Sequence, residues 1–242
     1  MSIITLKDVE KVYRTKEIET LALENVNIDI ENGEFVSIMG PSGCGKSTLL
    51  NIIGLLDVPT KGIVDILHEN TEKMNDAQLS DFRNKNIGFV FQSFHLIPSL
   101  NIIENVALPL LYRSGISRKE RKEKIEAVLE RLGLSHRMRH YPGQLSGGQC
   151  QRVAIARAIV GDPKIVLADE PTGSLDSRNR DEIKEIITSL CEKYGQTFVI
   201  VTHDPEMAEI AHRKVSMADG RILHDSAMRR EPIEDYPLLI IN

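Results

Sequence analysis

Residues Gly40-Pro41-Ser42-Gly43-Cys44-Gly45-Lys46-Ser47 have the spacing G-x-x-x-x-G-K-[ST], with Thr48 following. These residue types suit one task, holding a polyphosphate. Glycines let the backbone curl until successive N–H groups face one centre. A helix opening at Lys46 adds its unpaired N–H groups and the positive end of its dipole. Lys46 offers a charge to the β and γ phosphates, and the Ser47 hydroxyl offers a ligand to Mg²⁺. Far along the chain, the apolar run Ile165-Val166-Leu167-Ala168 ends in Asp169-Glu170. In an open parallel sheet, ligands gather at the carboxyl ends of the strands. Asp169 is thus placed to hold the cation. Glu170, pointing elsewhere, is placed to polarise an attacking water as general base. A third feature is Leu145-Ser146-Gly147-Gly148-Gln149. A Ser and two Gly at a helix start make an N-cap and a bare ring of N–H donors, a second anion site.

The elements that must position these groups follow from hydrophobic patterning. Short apolar or alternating runs predict strands at residues 3–6, 26–30, 35–39, 63–67, 87–91, 165–168 and 198–201. Two more, at 215–217 and 222–223, flank the hairpin turn Asp219-Gly220. Helices are predicted from Lys46, over 177–192 and over 206–211. Another follows Ser117, where Glu120 three residues on suggests a capping box and Gly133 ends the run. Its charged stretch RKERKEKIE reads as a solvated face. Between about 94 and 160 the pattern is mainly helical. The layout is a parallel α/β core with a helical insertion.

Composition narrows the class. The 242 residues carry 30 Lys and Arg against 35 Asp and Glu, a net charge of −5, with 41% apolar residues. This is a globular composition with room for a real core. Net acidity argues against unspecific duplex binding. The longest stretch without Asp, Glu, Lys or Arg, residues 87–103, is broken by Gln92, His95, Pro98 and Asn101, so no spanning helix is expected. The N-terminus has no basic flank before a long apolar run, so no secretory signal is expected. Cys44, Cys150 and Cys191 are scattered, with neither a disulfide framework nor a zinc spacing. A reduced, cytosolic chain is expected, one that serves any membrane from the aqueous side.

The pentapeptide 145–149, lying between a phosphate loop and an Asp-Glu strand, resembles the signature of the ATP-binding cassette (ABC) ATPases, and the resemblance runs from about residue 3 to 225. It implies an α/β P-loop NTPase core with a parallel sheet, an N-terminal antiparallel β subdomain and an inserted helical subdomain. Residues 1–93 and 160–227 would form the core, 94–159 the helical part and 228–242 a tail. It implies ATP and Mg²⁺, with ATP contacts at Tyr13 (against adenine), Gly40, Ser42, Gly43, Cys44, Gly45, Lys46, Ser47 and Thr48. Ser47, Gln92 and Asp169 would serve the metal. Glu170, His203 and Gln92 would be catalytic: Gln92 matches the Q-loop glutamine and His203 the switch histidine. Ser146, Gly147, Gly148 and Gln149 would act on the ATP of a second copy in a head-to-tail homodimer, with Ser174 and Asp176 at its interface.

The implied partner is a transmembrane permease, reached from the cytoplasmic face. Its cytoplasmic helix is expected near residues 94–103, and no nucleic acid is expected. Val12-Tyr13, Gly54-Leu55-Leu56-Asp57 and Ala168 to Gly173 resemble the macrolide-exporter, lipoprotein-release and antimicrobial-peptide-export branch. Cys44 and Ser174 depart from its usual residues. The competing reading is a soluble ABC ATPase acting on nucleic acid or ribosomes. Such proteins usually carry two cassettes or a long inserted coiled coil, and neither is visible here.

Overall fold

The computed structural model describes residues 1–15 and 18–227; the expected tail at 228–242 lies outside them. Strands β1 (Ser2–Arg14) and β2 (Glu19–Glu31) pair antiparallel. With β4 (Lys61–Ile66) and β5 (Glu69–Asn70) they form an antiparallel sheet of order β2-β1-β4-β5. The second sheet contains β3 (Phe35–Met39), β6 (Ile87–Phe91), β7 (Ile165–Asp169), β8 (Thr197–Thr202), β9 (Arg213–Ala218) and β10 (Arg221–Asp225). Its order is β10-β9-β3-β8-β7-β6, parallel except for β10.

Burial explains the two textures. All six residues of β8 are buried, as a strand covered on both faces requires. In β2, Leu23, Val26, Ile28 and Ile30 are buried while Glu19, Asn25, Asn27 and Asp29 are exposed, the signature of a sheet with one wet face. Alternate residues of the parallel strands feed two cores. Ile165, Leu167, Val199 and Val201 join helix α1 (Lys46–Ile53) and the antiparallel sheet. Val166, Ala168, Phe198 and Ile200 join the helices on the opposite face. Those helices are α3 (Ile102–Leu111), α4 (Arg118–Arg131), α5 (Gly147–Ile159) and α6 (Ser177–Tyr194). A short helix, α7 (Pro205–Glu209), follows β8.

Differences from the sequence reading have physical causes. Strands β1 and β2 run far beyond the predicted 3–6 and 26–30, because long-range pairing recruits polar residues such as Lys11 and Glu19 into the ladder. Helix α2 (Asp76–Asn86) lies outside the predicted elements; no residue of it is fully buried, and only Leu79 and Phe82 pack against the core, a short apolar signal. Its stronger signal is the capping box of Asn75 and Gln78. At α4 only half of the expected box forms: Glu120 N–H donates to Ser117 Oγ at 3.1 Å. The Asp219-Gly220 hairpin stands, with both residues at positive φ (49° and 77°), as a type I′ turn requires. Among the described residues no helix is long and apolar enough to cross a membrane.

Candidate nucleotide site

The phosphate loop joins β3 to α1 at the carboxyl edge of the parallel sheet. Gly45 is the N-cap of α1, in the left-handed region at φ 102°, and makes no side-chain cap. No acidic residue occupies the first turn. The helix therefore presents free N–H groups and an unneutralised dipole end. Side chains are excluded here by space as well as by φ. A Cβ on Gly45 would lie 2.5 Å from the Ala22 carbonyl oxygen, and one on Gly40 2.2 Å from that of Met217. Cys44 is buried in the core beneath the loop, so it packs rather than contacting phosphate through its side chain. Lys46 is nearly buried, and its Nζ donates to the Gly40 and Pro41 carbonyls at 2.7 and 3.0 Å.

Strand β7 pairs with β8 and β6, and their carboxyl ends deliver Asp169, Glu170, His203 and Gln92 to the same edge. Ser47 Oγ donates to Asp169 Oδ1 at 3.4 Å. Burial, with the Glu170 charge behind it, holds the Asp169 carboxyl above its usual range; the Ser47 hydroxyl and Lys46 oppose that shift. A hydroxyl beside a carboxylate is a hard-oxygen donor pair and fits Mg²⁺, which takes few protein ligands and completes its shell with phosphate and water. No cluster of three or more His, Cys, Asp or Glu suited to a metal occurs among the described residues. Glu170 sits at φ 46°, a strained conformation for a non-glycine residue. Its N–H bonds to the Val201 carbonyl at 2.9 Å, and its carbonyl accepts from Gly173 N–H at 3.0 Å. Its carboxylate lies 2.7 Å from His203 Nδ1 and accepts from the Thr202 hydroxyl at 3.1 Å. The Gln92 amide lies against Gly173, where an added Cβ would meet it at 2.8 Å.

Tyr13, half-exposed, is anchored at its hydroxyl end. It donates to Asp57 Oδ2 at 2.8 Å, and Lys11 Nζ donates to Asp57 Oδ1 at 2.5 Å. Partial burial and the Asp57 carboxylate raise the Tyr13 hydroxyl's pKa, while Thr48 and Lys11 pull it back. The Lys11 ammonium also stands over one face of the ring, 4.9 Å from its centroid, so a base could stack only on the other face.

Ser146 caps α5 with a reciprocal box: Gln149 N–H donates to Ser146 Oγ at 3.2 Å, and Ser146 N–H donates to Gln149 Oε1 at 3.0 Å. Gln149 thus spends its side chain fixing the helix start, which leaves Gly147 and Gly148 as bare donors. Asp176 caps α6 by accepting from Asn179 N–H at 2.9 Å, and Ser174 is exposed beside it. The principal neighbours of α1 are β2, β4, β7 and β8, whereas those of α5 are α3, α4, α6 and β6. The helices that carry the two anion sites therefore pack on opposite faces of the parallel sheet.

Three supporting roles escaped the sequence reading. Thr202 carries no motif signal of its own, Asp57 enters only as the last residue of the branch motif 54–57, and their partners Glu170 and Tyr13 are distant in sequence. Arg157 donates to the His95 and Phe94 carbonyls at 2.5 and 2.8 Å. Both residues are left-handed, at φ 48° and 59°. The Arg157 clamp thus ties the stretch after Gln92 to α5.

The chain is similar to known proteins along most of its length. A family model described as ABC transporter matches residues 23–173. An uncharacterized ABC transporter ATP-binding protein, YknY of Bacillus subtilis, is 50% identical over 227 residues, covering 94% of this chain and 98% of that one. The macrolide export ATP-binding/permease protein MacB of Hyphomonas neptunium is 43% identical over 235 residues, 97% of this chain and 36% of that one. Among solved structures, the dimeric structure of MJ0796, a bacterial ABC transporter cassette, superposes with a TM-score of 0.85 at 48% identity, covering 93% and 99% of the two chains. The same cassette in a post-hydrolysis state bound to ADP and Pi gives 0.85 at 47%.

Proposed function

This chain belongs to the ABC transporter family as an ATP-hydrolysing, nucleotide-binding subunit, and from that premise we propose that two copies close head to tail around two Mg-ATP and drive a membrane permease. The observation that carries the reading is the bare, Ser146-capped start of α5, a second phosphate cradle whose packing neighbours are not those of α1. One γ-phosphate needs both cradles, and a second copy supplies the missing one.

In this scheme the loop N–H groups and Lys46 grip the β and γ phosphates, and Tyr13 stacks on adenine. Magnesium, when bound by Ser47 and Asp169 with Gln92 nearby, neutralises charge on the phosphate oxygens. Glu170 accepts a proton from the attacking water; its carboxylate is aimed by Thr202 and His203. His203 is 69% exposed at its side chain, so it is free to turn from Glu170 toward the γ-phosphate. Gly147 and Gly148 of the second copy add N–H donors where charge develops. Ser174 and Asp176 meet across the interface.

For the permease we propose a cleft of about 660 Å³ between the core and the helical residues 94–159, walled by Leu56, Phe89, Phe91, His95, Leu108 and Tyr112. Of the stretch 94–103 only His95 lines it; Phe94 and Leu96 pack into the core instead. The chain would then sit on the cytoplasmic face of the membrane. The likeness to the macrolide export protein MacB supports export as the work done.

The test is Glu170→Gln with Mg-ATP. Loss of the base should abolish hydrolysis yet keep binding, so that ultracentrifugation finds a particle of twice the 27.2 kDa chain mass. A strictly monomeric variant at saturating ATP, or hydrolysis at the parent rate, would refute the scheme.

A further inference from the structure

Gln151 is fully buried in α5, and neither its Oε1 nor its Nε2 has a hydrogen-bond partner among the described residues. No other described side chain has both polar atoms buried and unpaired. A buried amide in this condition bears its full desolvation penalty and calls for an explanation. Gln151 stands four residues after Gly147 and three after Gly148, on the same face of the helix. Helical side chains lean toward the N-terminus, which directs the Gln151 side chain toward the turn that holds these two glycines. Those glycines are also where α5 touches the segment leading into α6. A Cβ on Gly147 would lie 3.4 Å from Leu175, and one on Gly148 only 1.9 Å from Asn179 Oδ1. Asn179 spends its backbone N–H and its Nδ2 on Asp176, while its Oδ1 accepts nothing among the described residues.

We propose that Gln151 is a positioning residue whose Nε2 donates to Asn179 Oδ1 when two cassettes close, latching the signature helix to the helix that begins after Asp176. The unpaired amide penalises the open form and is relieved in the closed one, so it biases the equilibrium toward closure. This rests on the head-to-tail reading above and adds to it a device within each subunit.

Gln151→Leu and Gln151→Met are apolar and of similar size. Both are expected to raise the melting temperature of the nucleotide-free chain by about 2–5 °C, since they delete an unpaired amide. Both should also lower kcat about tenfold at unchanged KM, and weaken the ATP-driven dimer about tenfold in the Glu170→Gln background. Asn179→Ala should lower kcat similarly, and combining it with Gln151→Leu should add no further loss. A lowered melting temperature in both Gln151 variants overturns the proposal, because the amide is then already satisfied, by buried water, in the resting chain. A parent-like kcat, or additive losses in the double variant, overturns it equally. The two readings fail differently. If Glu170→Gln alone stays monomeric with ATP, the head-to-tail scheme is lost. If it dimerises and the Gln151 variants in its background do so with unchanged affinity, only the latch is lost.

Discussion

Gly45 is a residue whose contribution is the absence of a side chain. It combines φ 102° with a backbone oxygen 2.5 Å from where a Cβ would stand. Gly45→Ala must therefore displace either β2 or the first turn of α1. We expect ATP affinity, read by equilibrium binding of a fluorescent nucleotide, to fall at least about a hundredfold, with about 2 kcal/mol lost in stability. An unchanged Kd would mean that the loop tolerates a side chain and the backbone cradle is misassigned. The spacing of this loop was readable because the chemistry is local: eight consecutive residues carry it. Glu170 shows the limit. Its place at the end of a strand was legible, but its strained φ and its two hydrogen-bond partners were not, since Thr202 ends another strand and His203 follows it. The cysteines show a different limit. Burial pushes Cys191 up to about 12 and raises Cys150, so both act as packing residues rather than nucleophiles.

Among the elements, the β9–β10 hairpin depends on a buried ion pair that no motif announces. The Arg213 guanidinium donates to both Asp225 oxygens, through Nε at 2.7 Å and Nη2 at 2.5 Å, and Nη1 donates to Glu34 and to the Asp29 carbonyl. The pair thereby ties the antiparallel hairpin edge to β2 and to the entry of β3. Burial alone would raise the Asp225 carboxyl, but bonds from Arg213 and the Ala227 N–H, together with the Arg213 charge, hold it below its usual range. A carboxyl depressed in the folded state stabilises fully above its unfolded value, about 3.9, and loses that contribution as pH falls through the folded value. Asp225→Ala should thus cost about 3 kcal/mol at neutral pH, the low end for removing one buried partner because Glu34 remains. Melting curves from pH 7 to 3 should show the gap from the parent protein closing below about pH 4. A gap that stays constant to pH 3 would mean that the pair is not what the substitution removes. Helix α2 makes the complementary point: only Leu79 and Phe82 of it pack against the core, too short an apolar period to disclose it without its caps.

The whole molecule is half of a machine in the proposed scheme. If each ATP needs the phosphate loop of one copy and the α5 terminus of another, specific ATPase activity at saturating ATP must fall as protein is diluted below the dimer's dissociation constant. A dilution series followed by phosphate release, with ultracentrifugation alongside, checks this. Constant specific activity in samples that sediment wholly as monomer would contradict it.

What the linear chain determined was the inventory of reacting groups and the order of elements that carry them, because phosphate loops, strand-end carboxylates and helix caps are written in adjacent residues. Tertiary structure alone decided which groups meet. Only the packing of helix, sheet and loop sets Ser47 beside Asp169, Thr202 beside Glu170 and the Tyr13 hydroxyl on Asp57, since each contact joins segments whose separation in sequence bears no relation to their distance in space. Burial, too, is a property of the packed molecule: nothing in the letters around Gln151 says that its amide is buried with no hydrogen-bond partner among the described residues.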